Sequence, residues 1–151
     1  ARLAFIARER WSLTERHPWL LDLALHRPPL GPNVMRKAEQ AMATLEGTGL
    51  DPDSMGLAAE ALQNYVTGAL HAAREAREAE RRTGQTDEQW LASIGELLEG
   101  RLDPTDYPVV QRLREGGRGR PSGDPQARFE FGLERMLDGL EAFIAARRGP
   151  T

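Results

Sequence analysis

One stretch near the C-terminal end constrains the fold more than any other. Phe129-Glu-Phe-Gly-Leu-Glu-Arg-Met-Leu-Asp-Gly-Leu-Glu-Ala-Phe-Ile144 sets Phe129, Leu133, Met136, Leu137, Leu140, Phe143 and Ile144 at three- and four-residue spacing. That is the period of one helix face. Burying each large apolar side chain contributes about 1.5–3 kcal/mol, so this helix must lie against something. Gly132 and Gly139 share nearly one face of it. A glycine inside a helix costs about 1 kcal/mol relative to alanine. Two on one face are expected where another backbone comes close. Periodicity alone leaves open whether that backbone belongs to this chain or to a second molecule.

The rest of the chain reads as helices too. Leu3, Ile6, Ala7, Arg10 and Leu13 recur at helical spacing over residues 1–16, with Ala4, Ala7 and Trp11 as a neighbouring stripe. His17-Pro18 marks a boundary, because the residue before proline resists the α region. A short helix from Trp19 to His26 is expected next, then an Arg27-Pro28-Pro29-Leu30-Gly31-Pro32 connector. Asn33 is the expected N-cap of a helix Val34–Glu46, closed by Gly47-Thr48-Gly49. Asp51-Pro52-Asp53-Ser54 is a strong helix start, and that helix is expected to run over about 52–82. Its first half carries Leu57, Leu62, Tyr65, Val66 and Leu70; its second half is charged at i,i+4 spacing, as a solvated helix end would be. Thr83-Gly84-Gln85 breaks the pattern. Thr86 or Asp87 then caps a helix that begins before Trp90 and ends near Gly100. Thr105 or Asp106 begins a short helix to Arg114, residues 115–123 are glycine-rich linker, and Asp124-Pro125 starts the last helix, 124–148. No sustained period-two alternation is present, so no strand is expected.

Composition narrows the functional classes. The 151 residues suffice for one domain, with 40% apolar and 28% charged residues. The expectation is a single all-α domain over 1–151. No apolar run approaches the roughly 20 residues that span a bilayer, so no membrane partner is expected. Absence of cysteine excludes disulfides, thiol catalysis and thiolate metal sites and fits a reducing, cytoplasmic setting. A net charge of −3 gives no strong basic face for nucleic acid. The chain starts at Ala1 rather than Met, as a piece of a longer protein would.

Several ordered motifs point further. Phe131-Gly132-Leu133-Glu134 followed by Gly139-Leu140-Glu141 resembles the ending of the C-terminal domain of tetracycline-repressor (TetR) family regulators. His17-Pro18-Trp19, Arg27-Pro28, Gly47-Thr48-Gly49-Leu50 and Asn64-Tyr65-Val66-Thr67-Gly68 occur in the same order and spacing as in the TetR-like C-terminal subgroup. The resemblance covers nearly all of the chain. It implies a helical bundle that dimerises through a four-helix bundle built from the 52–82 and 124–148 helices of two copies. Phe129, Gly132, Leu133, Met136, Gly139, Leu140 and Phe143 are the expected interface residues. It also implies a small-molecule effector, allosteric repression, and operator contact only through an N-terminal helix-turn-helix that lies outside residues 1–151.

The expected effector-binding residues are Trp11, Trp19, Leu23, His26, Met35, Met42, Asn64, Tyr65, Gly68 and Trp90. Asn64 is carried over as a pocket-facing position of the family. The aromatic and methionine side chains suit an apolar or aromatic ligand with few polar handles, although each is equally at home in an ordinary core. In the tetracycline repressor, a histidine before the Arg-Pro connector and an acid on the long helix help hold a drug–magnesium chelate. His26 falls near the first of these, but the second falls near Ala72, with Glu75 the nearest acid. That departure argues against tetracycline and against magnesium.

Other chemistry has little footing. His17, His26 and His71 form no i,i+4 pair, so no metal site and no cofactor are expected. Asp51/Asp53 and Asp103/Asp106 flank helix starts, where capping accounts for them. No nucleophile elbow or phosphate-binding glycine loop is present, and an enzyme is not expected. A helical interaction module without a ligand is the alternative to an effector-sensing domain.

Overall fold

The computed structural model describes residues 2–23, 31–98, 103, 106–115 and 124–148. Among them are helices α1 (Arg2–Arg16), α2 (Pro32–Ala43), α3 (Pro52–Thr83), α4 (Asp87–Leu98), α5 (Pro108–Glu115) and α6 (Pro125–Arg148), with a 3-10 turn at Pro18–Leu21. No strand occurs among the described residues. The chain is all-α, as the periodicity predicts.

Local chemistry explains most boundaries. Asp51 caps α3: its Oδ1 accepts from the Ser54 amide at 2.9 Å and its Oδ2 from the Ser54 hydroxyl at 2.7 Å. These bonds hold the Asp51 carboxyl below the usual carboxylate range, with a smaller contribution from Arg147, 3.3 Å away. A complete capping box starts α4. The Gln89 amide donates to Thr86 Oγ1 at 3.2 Å, and the Thr86 amide donates to Gln89 Oε1 at 2.9 Å. Asp124 Oδ1 accepts from the Gln126 amide at 3.0 Å at the start of α6. Gly84 closes α3 with a φ of +68°, a left-handed value that favours glycine.

Four expected boundaries need correction, one of them the end of α2, which closes at Ala43 rather than Glu46. The helix expected at Trp19–His26 is a 3-10 turn, Pro18–Leu21; residues 22–23 are a turn and 24–30 lie outside the described residues. Asn33 is not an N-cap. Gly31 holds that position and Pro32 is the first helical residue, where its fixed φ is pre-organised; Asn33 Oδ1 instead accepts from Arg36 Nη1 at 3.2 Å. The short fifth helix starts at Pro108, not at Thr105 or Asp106, for the same proline reason.

The chain divides into two compact units: Ala1–His71 with Phe129–Thr151, and Ala72–Arg128. The first holds the core. Ala4, Ala7 and Trp11 of α1, Leu62, Val66 and Leu70 of α3, and Phe129 and Leu133 of α6 are buried, with Leu21, Leu45 and Leu50 from the connecting segments. Of the two candidate stripes on α1, the Ala4-Ala7-Trp11 stripe is the buried one. Leu3, Ile6 and Leu13 are half-buried.

The second unit contains the charged end of α3, α4, α5 and the first residues of α6. Arg74 and Glu78 form an i,i+4 ion pair at 3.7 Å on α3. Arg128 reaches Asp87 at 3.4 Å. Ala73 is the buried apolar residue among those described in this unit, while Trp90, Tyr107, Val109, Val110 and Leu113 are exposed.

Candidate functional site

The first unit is organised around two crossings with α6. Phe129 is almost fully buried, stacked on Trp11 of α1 with centroids 4.4 Å apart. It also lies near-parallel to Tyr65 of α3 at 6.1 Å. The Tyr65 hydroxyl donates to the Phe129 carbonyl at 2.8 Å and takes a hydrogen bond from the Leu133 amide. Those are the carbonyl and amide that a helix pairs with each other. Burial pushes the Tyr65 hydroxyl pKa up, partly offset by the Leu133 bond. Gly132 makes this approach possible. A Cβ there would lie 2.6 Å from Tyr65 Cζ and 2.8 Å from Cε2. One of the two α6 glycines therefore admits a helix of the same chain.

The other glycine does not. Nothing lies within 4 Å of a Cβ built at Gly139. Phe143, one turn further on the same flank, is 40% exposed, with the Arg147 guanidinium 5.0 Å from its ring centroid. The expected interface residues thus fall into two groups. Phe129, Gly132 and Leu133 are occupied by contacts within the chain. Gly139 and Phe143 are open, and Met136 and Leu140 are half-buried.

Two polar links join α1 to the other helices. Arg8 grips Glu130 of α6 side-on, through Nε and Nη2 of its guanidinium, at 2.7–3.0 Å. The carboxylate holds the Arg8 pKa above its ordinary value. Arg10 donates from Nη2 to Thr67 Oγ1 of α3 at 2.9 Å, and Thr67 in turn donates to the Gln63 carbonyl at 2.8 Å. Thr67 neighbours Asn64, Gly68 and His71 on one face of α3. Asn64 and Gly68 are exposed, with nothing within 4 Å of a Cβ at Gly68, and His71 is half-buried.

The expected effector-binding residues scatter. Trp11 and Tyr65 come together, on Phe129. Asn64 and Gly68 share the outward face of α3. Met42 is half-buried, its Cε 4.0 Å from a Cβ at Gly56. Trp19, Leu23 and Met35 are exposed, Trp90 belongs to the second unit, and His26 lies outside the described residues. Arg10 and Thr67 were not among the expected site residues. The signal for Arg10 was present, as a cation inside an apolar stripe of α1. No group of three or more metal-ligating side chains is gathered among the described residues.

This helical frame has clear relatives. The family described as tetracyclin repressor-like, C-terminal domain, matches residues 1–144. The chain belongs to the TetR family. It is 42% identical over its whole length to the HTH-type transcriptional repressor DrrR1 of Streptomyces coeruleorubidus, covering 54% of that protein. It is 31% identical, over 93% of its length, to an HTH-type transcriptional regulator of Saccharopolyspora erythraea, again covering 54%. The chain spans about half the length of these curated relatives. Among solved structures, the TetR regulator SCO7222 of Streptomyces coelicolor superposes with a TM-score of 0.65 at 27% identity, over 93% of this chain and 64% of that one. The chain therefore corresponds to the C-terminal domain of a TetR-type transcriptional regulator.

Proposed function

We propose that this TetR-type domain dimerises and senses a small, largely apolar or aromatic effector, which controls operator binding by an N-terminal helix-turn-helix in the whole protein. The observation that supports this most is the mechanical tie of α1. The Trp11–Phe129 stack and the Arg8–Glu130 pair fix α1 to α6, and Tyr65 ties α6 to α3. A ligand that wedges against α3 must then move α1, and α1 is the helix nearest in sequence to a preceding DNA-binding head. By linkage, the effector weakens operator binding only as far as its affinity differs between the two states. Control of an operator places the protein in the cytoplasm, and no described helix is long and apolar enough to cross a membrane.

Dimerisation is assigned to the open flank of α6 around Gly139 and Phe143, with α3 completing a four-helix bundle across the two copies. The exposed Phe131 and Phe143, each with an arginine over its ring at 5.5 and 5.0 Å, supply an apolar surface on that helix. Light scattering at micromolar concentration is expected to give twice the mass of the chain; the mass of one chain would refute the assignment. Gly139→Leu is expected to weaken the dimer, and an unchanged dimer would move the interface elsewhere. A thermal-shift screen of apolar aromatic compounds is expected to find stabilisers. Finding none would favour a helical interaction module without a ligand.

A further inference from the structure

Arg8 and Arg10 stand two residues apart on α1 and are treated oppositely by the fold. Arg8 is the more exposed, and it has a carboxylate held by Nε and Nη2 of its guanidinium. Arg10 is half-buried, and its hydrogen bond goes to a hydroxyl. Among the described residues no carboxylate lies within ion-pair distance of it. Thr67 cannot substitute for one, because its hydroxyl is neutral: it accepts from Arg10 and donates its own proton to the Gln63 carbonyl. A guanidinium carries five N–H donors in a fixed fork, and one of them is used here. Withdrawing a cation from water without a counter-charge is costly. Burial accordingly lowers the Arg10 pKa, with no acid to offset it.

The surface of α3 next to Thr67 is open. Gly68, next to Thr67, has nothing within 4 Å of a Cβ. Asn64 and His71 lie one turn to either side of Thr67 on the same face of α3, offering further polar atoms. Thr67, which holds the fork, stands between these groups on α3.

We propose that Arg10 is the anion-recognising residue of the effector site, and that the effector is an apolar organic molecule bearing a carboxylate or phenolate oxygen. The assignment rests on the effector-sensing reading above. The guanidinium takes the oxyanion through its unused N–H groups, in the bidentate geometry that such forks favour. Asn64 supplies a further hydrogen bond, and the apolar body of the ligand lies along the open side of α3 at Gly68. Binding supplies the counter-charge that the fold withholds from Arg10.

The test uses a matched pair of probes, 1-naphthoate and its neutral analogue 1-naphthamide, titrated by calorimetry. The chain is expected to bind the carboxylate at least tenfold more tightly. Arg10→Met should abolish that preference, and Arg10→Lys should keep part of it. Without ligand, the Arg10→Met variant is expected to melt at the same temperature or higher, since it removes an uncompensated charge. Equal binding of the two probes, or a preference that survives in Arg10→Met, would overturn the proposal while leaving an effector site for neutral molecules. A lower melting temperature for ligand-free Arg10→Met would also overturn it, by making Arg10 a structural strut. Binding of neither probe at millimolar concentration would overturn both this assignment and the effector-sensing reading.

Discussion

The first unit and the second carry similar apolar patterns and put them to different ends. In the first, Leu62, Val66 and Leu70 on α3 meet Trp11, Phe129 and Leu133, and all are buried. In the second, Trp90 on α4 and Val109, Val110 and Leu113 on α5 remain 47–58% exposed. A helical period therefore states which residues share a face. Whether that face is covered depends on a partner element. Around Phe129, two other helices of the same chain supply it.

The contrast makes its largest prediction at Leu133. Truncating this fully enclosed side chain, Leu133→Ala, is expected to cost about 2–5 kcal/mol in denaturant unfolding. Leu113→Ala should cost less than about 0.5 kcal/mol. Equal costs would break the contrast and place the α5 face at an interface. Next in size is Gly132→Ala. Its methyl group would collide with the Tyr65 ring, at an expected cost of about 1–3 kcal/mol. Gly139→Ala meets no atom within 4 Å, and alanine favours the helix, so it should be neutral or slightly stabilising in the monomer.

Sequence periodicity made the helical class and most boundaries legible, because proline, acidic and Thr-x-x-Gln starts act locally. Asp51, Thr86 and Asp124 sit where their side chains cap a helix whatever the tertiary structure. The division of labour along α6 was not legible. Gly132 and Gly139 are equivalent in the pattern. Only the position of Tyr65, brought over by α3, decides which of them is filled from within the chain. The role of Arg10 is hidden for a similar reason. A cation in an apolar stripe reads as a half-exposed flank until its partner is seen to be a hydroxyl. The scattering of Trp19, Leu23 and Met35 onto the surface reflects a limit of composition arguments: bulky residues are suited to a cavity wall wherever they fall.

A smaller effect distinguishes the two ends of α3. The Asp51 carboxyl is held below its ordinary pKa in the folded chain, so its contribution is present above the unfolded-state value, about 4. It is lost as pH falls through the lower, folded value. The melting-temperature advantage of the native chain over Asp51→Ala should accordingly be full at pH 7 and shrink below pH of about 4. A constant difference across that range would place the cap energy elsewhere. The smallest effect is expected at the rim of the first unit. Arg8→Ala should shift melting only slightly, and the shift should diminish in high salt, because both partners are partly exposed.

The Tyr65 hydroxyl against Gly132 carries a consequence for how relatives of this chain diverge. A side chain at 132 is admissible only if the ring at 65 moves aside or is lost. The loss at 65 strands the carbonyl of Phe129 and the amide of Leu133 unless they pair with each other. The two positions thus form a lock with an order of opening. Lineages should reach a residue larger than glycine at 132 by way of a smaller one at 65, and seldom by the reverse route.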